Sequence, residues 1–462
     1  MVGVVSRVRL WLASPLVVVA IAGCGPAAMA SPLTNPVAPP SRERTPSSPA
    51  DAEAVVLVGR IVTVDDPPLA EALLIDNGKV AAVGTREDVL ARAGDQAQIV
   101  ELGTNVAYPG FIDAHAHWIG DREYYGLDSA AAAMDAALTR GWASISEQWV
   151  NPERLEELER LAADDALPLR VDAYLALNFD REFFGDWYSG GEPGIVDERL
   201  RVEGLKIHLD DGWGHAINWD PTELTATIGR ADEAGWQVSV HAMSSAAMEL
   251  VLDAFEASLG PTGPNPLHHR IEHAMQVTDE QLARLVAMDI AIVTHFDGAN
   301  DWLLDDRVVA EFDRGDPGEQ SPLLDRWRDF VDAGLHVASA TDAPWTFADQ
   351  ELLDSVGRPF DQIAAGMDGR VRTSQDPPVW SVDQLLTAEQ GLRAVTVDAA
   401  WAIGDEARRG HLAPGTMGDV TILSGDIATS TPDEIRAYEV VATIVGGIVA
   451  YCSDTAICGG PR

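Results

Sequence analysis

Pro109-Gly110-Phe111-Ile112-Asp113-Ala114-His115-Ala116-His117 is an apolar run that ends in two histidines with one alanine between them. In an extended strand the side chains alternate faces, so His115 and His117 point the same way. Two imidazoles side by side at a strand end can grip one divalent ion. An isolated His-x-His is equally a pair of surface histidines. The rest of the chain decides, because it places further metal-ligating residue types at the ends of other strand-like runs.

Working outward, Tyr108–Ala114, Trp142–Glu147, Leu169–Ala176, Gly204–Leu209, Gln237–His241, Arg270–His273, Ile290–His295 and Val337–Thr341 read as strands. The stretches between them include Pro152–Ala163 and Thr278–Met288, which have the spacing of amphipathic helices. Eight alternating units over roughly 300 residues predict an α/β fold, a (β/α)8 TIM-type barrel, with a doubly wound sheet as the alternative. At the chain ends the pattern is all-β. Val55–Val64, Ala72–Ile75 and Val80–Val83 surround an Asp76-Asn77-Gly78 turn, and Asp419–Leu423 and Val440–Tyr451 contain a Gly446-Gly447 turn. These pieces, within 54–106 and 407–462, are expected to pair into a small β-sandwich beside a barrel spanning 107–406. In such a barrel the strand ends gather His115, His117, Lys206, His241, His273 and Asp342 at one face, where these folds build their sites.

The chain has 462 residues and a formal net charge of −41, from 73 acidic against 32 basic residues. So negative a protein repels nucleic acid and anionic membrane surfaces, which excludes both as expected partners. Of its basic residues only Lys79 and Lys206 are lysine. At the start, Arg7 and Arg9 precede an apolar run from Leu10 to Gly23, too short to span a bilayer but suited to a secretory signal over residues 1–23. Ile21-Ala22-Gly23-Cys24 resembles the bacterial lipobox, which implies cleavage before Cys24 and a lipid on its sulfur. Cleavage after Ala30, leaving a soluble exported protein, is the alternative. Residues 24–53, rich in Pro, Ser and Ala, read as a tether. Outside the cytoplasm Cys452 and Cys458 can form a bridge; two free thiols on a tail are the other possibility.

Pro109–His117, Arg270-Ile271-Glu272-His273-Ala274, Thr341-Asp342-Ala343-Pro344 and the closing Gly410-His411-Leu412-Ala413-Pro414-Gly415-Thr416-Met417-Gly418-Asp419-Val420, in that order, resemble the amidohydrolase superfamily. The likeness is to its family 3 branch and covers about residues 54–455. The resemblance implies two divalent ions, zinc in the first instance. His115, His117 and Asp342 would hold one, His241 and His273 the other, and Lys206 would bridge them. A lysine amine can capture carbon dioxide as a carbamate, which an arginine, always protonated, cannot do. It also implies hydrolysis of a small-molecule amide C–N bond, with Asp342 moving the proton. A mononuclear deaminase of the same superfamily, which has no need of Lys206, and a lipoprotein that binds a ligand without catalysis are the rivals.

His208, His215 and His295 are candidates to steady a developing oxyanion, or plain hydrogen-bonded loop histidines. Trp118, Trp213 and Trp345 follow ligand-bearing strands and suggest an aromatic-walled substrate pocket, or tryptophans packing a barrel rim. The wording departs from the family after His241, at Ala242-Met243-Ser244-Ser245, and at Thr294-His295-Phe296-Asp297. Those departures fall where substrate is chosen, not where metal is held.

Overall fold

A computed structural model describes residues 54–179, 181–211, 216–296, 324–343, 357–370 and 379–458. In chain order the main strands are β1 (Val55–Val62), β2 (Leu69–Asp76), β3 (Lys79–Gly84), β4 (Gln98–Pro109), β5 (Phe111–Ala116), β6 (Trp142–Val150), β7 (Arg170–Ala176) and β8 (Leu200–His208). They continue with β9 (Gln237–Ala242), β10 (Arg270–His273), β11 (Ala291–Thr294), β12 (Val337–Ser339), β13 (Val420–Leu423), β14 (Val440–Val445) and β15 (Ile448–Cys452).

Strands β5 to β12 pair in parallel, each with its sequence neighbour. The circle closes just past the strand ends, where Asp342 N–H donates to the His115 carbonyl (2.9 Å) and His117 N–H to the Ala343 carbonyl (2.8 Å). This is the expected (β/α)8 barrel. Along β5 the period of two is visible. Ile112 and Ala114 pack with Ala291, Val293, Ala338 and Ala340 against the helix Val397–Ala402, while Asp113 and His115 face the polar interior.

The intervening helices start where the sequence carries caps. Asn151 and Asp220 each precede a proline at the first helical position, and Thr278 forms a capping box with Gln281. A side-chain acceptor on the free N–H groups of the first turn is worth about 1 kcal/mol. These starts place Pro152–Ala163 and Asp279–Met288 where the apolar spacing predicted them.

The chain ends meet in one seven-stranded sheet of order β15-β14-β13-β4-β1-β2-β3. Leu57, Ile61, Leu73, Ile75, Val100, Val420, Ile422 and Ile444, from both ends of the chain, share one core. Asn77 and Gly78 (φ +50° and +74°) and Gly446 and Gly447 (+58° and +75°) make the two hairpin turns that the sequence signals. Strand β4 is the surprise. Gly103, at φ +62°, interrupts its alternation, yet β4 pairs with β1 on one side and β13 on the other. It also takes Tyr108 and Pro109, which the sequence reading gave to the first barrel strand. The chain passes from sheet to barrel at Gly110, where a Cβ would stand 2.7 Å from Asp419 Cβ and 2.8 Å from Ala143 Cβ. Cys452 and Cys458 are disulfide-bonded. No helix among the described residues is long and apolar enough to cross a membrane.

Candidate metal centre

At the C-terminal ends of the barrel strands the His115 and His117 Nε2 atoms lie 3.2 and 3.3 Å from Asp342 Oδ1. The hydrogen-bond network assigns the protons. His115 Nδ1 is 2.5 Å from Glu272 Oε2 and donates to it, so its Nε2 carries a lone pair. His117 Nδ1, 3.6 Å from Asp121 Oδ2, makes no hydrogen bond to a described residue, and its Nε2 also faces Asp342. The His115 lone pair and the Asp342 carboxylate therefore meet with no hydrogen between them, and His117 Nε2 completes a group of three ligand atoms within 4.8 Å of one another. A cation at their centre converts that repulsion into coordination, and the residues fit one.

Glu272 is held from all sides. Its Oε1 accepts from Ser239 Oγ (2.9 Å) and Arg270 Nε (2.6 Å), and its Oε2 from Arg270 Nη2 (3.0 Å). Asp113, one alternation below His115, accepts from the backbone N–H and hydroxyl of Thr341 (2.9 and 2.7 Å) and so fixes the residue before Asp342. Burial pushes the Asp113 carboxyl up to about 6.

The remaining imidazoles form a continuous arc. Ring centroids are 5.0 Å apart for His115 and His273, 4.4 Å for His273 and His241, and 4.2 Å for His241 and His208. Burial drives His115 down to about 4 and His208 to about 3, and takes His241 and His273 well below the ordinary range, so these rings are neutral at pH 7. His295 Nδ1 donates to the Ala340 carbonyl (2.9 Å), leaving its Nε2 to accept from His273 Nδ1 (2.7 Å). That frees His273 Nε2. His273, His295 and Asp342 also place ligand atoms within 4.8 Å of one another.

Lys206 lies in register between Ala176 and Ser239, almost fully buried, and no described residue hydrogen-bonds its Nζ. Burial lowers its ammonium pKa to about 8. His241 Nε2 is likewise buried without a hydrogen bond, 3.5 Å from Asp210 Oδ1. Buried polar atoms are rarely left so, and two within one cluster of metal-ligating residue types are consistent with a site for a further group.

The structure thus brings together the six residues expected to hold metal. Of the other expected site residues, His208 and His295 join the cluster, whereas Trp118 does not line a pocket. It has no exposed surface, packs in the main core and donates its indole N–H to Asp113 (2.9 Å). Trp149 takes the aromatic place beside His117 instead, at 4.7 Å. Trp213, His215 and Trp345 lie outside the described residues, as do Cys24 and residues 1–23. Glu272, Asp113 and Trp149 escaped the sequence reading. Glu272 had a signal, being the acid inside the Arg270–His273 run that carries a ligand.

A family model described as the amidohydrolase family matches residues 121–451. The chain belongs to the amidohydrolase family. The match begins just beyond the His115–His117 pair. The amidohydrolase is 25% identical over 284 residues to the amidohydrolase YtcJ of Bacillus subtilis, covering 58% of this chain and 46% of that one. It is 25% identical over 250 residues to an N-substituted formamide deformylase of Arthrobacter pascens, covering 54% of this chain and 42% of the other. The matched region spans less than half the length of each of these two relatives. Among solved structures, an uncharacterized metal-dependent hydrolase of Pyrococcus horikoshii superposes with a TM-score of 0.66 at 19% identity, over 82% of this chain and 99% of that one. That likeness is one of fold.

Proposed function

We propose that this amidohydrolase hydrolyses a carbon–nitrogen bond of a small amide, using two divalent cations, zinc in the first instance. His115, His117 and Asp342 would hold one and His241 and His273 the other, with a carbamate on Lys206 between them. The observation that carries the reading is the convergence of His115, His117 and Asp342 ligand atoms within 4.8 Å of one another, in a cluster that also holds a buried lysine amine no described residue hydrogen-bonds. When bound, such ions lower the pKa of a shared water towards neutrality and polarise the substrate carbonyl. With a pKa near 8, Lys206 presents neutral amine in useful amount. That amine adds to carbon dioxide and loses one proton, giving an anionic group where an ammonium is poorly solvated. Asp342 accepts the proton of the attacking water and passes it to the departing nitrogen. Glu272 holds His115 in the tautomer that ligates, and His295 does so for His273.

Lys206→Arg tests this. Metal content should fall from about two equivalents per chain, with amide hydrolysis lost and the fold kept. Unchanged activity and stoichiometry would rule out the bridge, and one equivalent in the parent protein together with ammonia release would favour a deaminase. As to location, we propose export and a lipid anchor on Cys24. Cys24→Ser should release the protein from membranes, and continued membrane fractionation would count against the anchor.

A further inference from the structure

The second barrel strand carries an irregularity that the metal chemistry does not use. Pairing of β6 with β7 shifts register between Glu147 and Val150, and Trp149 takes φ +54°. Left-handed backbone under a bulky side chain is strained and persists mainly at functional sites, where a bulge re-aims a side chain. Here the indole is turned onto His117 (4.7 Å), His208 (5.3 Å) and, edge-on, Phe179 (4.7 Å). It also forms part of the wall of a cavity of about 320 Å³ that Phe179, Phe184 and Tyr124 line with it. Those three rings are 39%, 39% and 69% exposed. Gathered aromatic surface left open to water beside a reactive centre is characteristic of a ligand wall rather than of packing.

The charges around this cavity set a further condition. Asp121 and Glu182 line it, and so does Arg154. The Arg154 guanidinium, however, is engaged by Glu157 and by the Gly120 carbonyl (3.2 Å). Among the described residues the cavity therefore offers rings and carboxylates but no free cation for an acidic ligand.

We propose that this cavity is the substrate's side-group subsite, and that it takes an aromatic substituent bearing no negative charge. The inference rests on the hydrolase reading for the position of the scissile bond, which lies beyond Trp149 at His117. A substituent of benzyl size fits within the cavity and can pack against its rings, while a methyl group leaves them wet. A 4-carboxybenzyl group meets Asp121 and Glu182.

The experiment uses the metal-loaded full chain with phenylacetyl against acetyl amides, benzyl against methyl amides, and the 4-carboxy form of each aromatic one. The aromatic member of a pair should lead in kcat/KM by at least about 10-fold, the range set by apolar pocket contacts. The carboxylated form should fall below the methyl one. Phe184→Ala and Phe179→Ala should collapse the aromatic-to-methyl ratio towards one, chiefly through KM, with metal stoichiometry unchanged. A wild-type ratio near one, or a ratio that neither variant moves, overturns the subsite. Calorimetric titration with benzyl alcohol separates the two readings. Binding to wild type that Phe184→Ala weakens, in a protein that cleaves no amide, keeps the subsite and sinks the hydrolase; no binding to wild type sinks the subsite.

Discussion

At the N-terminal ends of the barrel strands, Arg170 grips Asp419 through two bonds (2.6 and 2.9 Å), and Arg409 grips Asp172 at 2.9 and 2.7 Å. Asp172 also takes Arg201 (3.1 Å), and Asp419 takes the Gly446 N–H (2.8 Å). At the C-terminal ends of the same strands, the His115 lone pair faces the Asp342 carboxylate and no described residue hydrogen-bonds the Lys206 amine. Both clusters are buried and both are rich in charge. In the lower one every donor meets an acceptor, because its purpose is to tie barrel to sheet. The upper one is incomplete as protein alone. A buried charge that is paired holds a fold, whereas a buried group left unpaired is tolerated where something else is to bind.

If that contrast is right, substitutions at the two ends should separate activity from stability. Asp342→Asn should cut turnover by about 1,000-fold or more while leaving the urea midpoint of the metal-free protein in place or higher. A large loss of stability would show that Asp342 belongs to the structural class instead. Arg409→Met should do the reverse. It leaves Asp172 and Asp405 short of a partner and should cost about 3–5 kcal/mol in urea unfolding, with kcat of the folded fraction unchanged.

Asp325 sharpens the comparison, since no described residue bonds either of its carboxyl oxygens although it is almost fully buried. Burial raises its pKa to about 7. The folded protein therefore binds more protons than the unfolded chain between roughly pH 4 and pH 7, and stability falls as pH rises through that window. Asp325→Asn should stabilise at pH 8 by a few kcal/mol and hardly at all at pH 4; equal effects at both pH values would show the carboxyl to be paired in solution. The smallest expected effect is at the junction. Gly110→Ala forces a methyl against Asp419 and Ala143 and should cost about 1–3 kcal/mol, read as a lower melting temperature with metal content retained.

Much of the barrel was legible because strand and helix periodicities differ and eight alternations of them have few other solutions. Strand β4 was not, because Gly103 breaks its pattern and only its two partners make it a strand. In the site, alternation put His115 and His117 on one face, and the ligand types at the other strand ends together with the family resemblance made them candidates for metal. The rarity of lysine among arginines drew attention to Lys206. Glu272 and His273 were a different matter. Neighbours on a strand should face opposite ways, yet both serve the centre, because His273 (φ +73°) and Ala274 (φ +47°) leave the strand in left-handed backbone. Asp342 (φ +49°) and Trp149 do the same.

The sequence by itself determined the repeating order of strands and helices and the ligand types at their ends, since both follow from local spacing and side-chain chemistry. The tertiary structure decided which way the last residue of each strand turns and which imidazole proton is committed to which acceptor. It also set Trp149 beside His117. These depend on backbone angles and long-range partners, Glu272 on His115 above all, that no local pattern encodes.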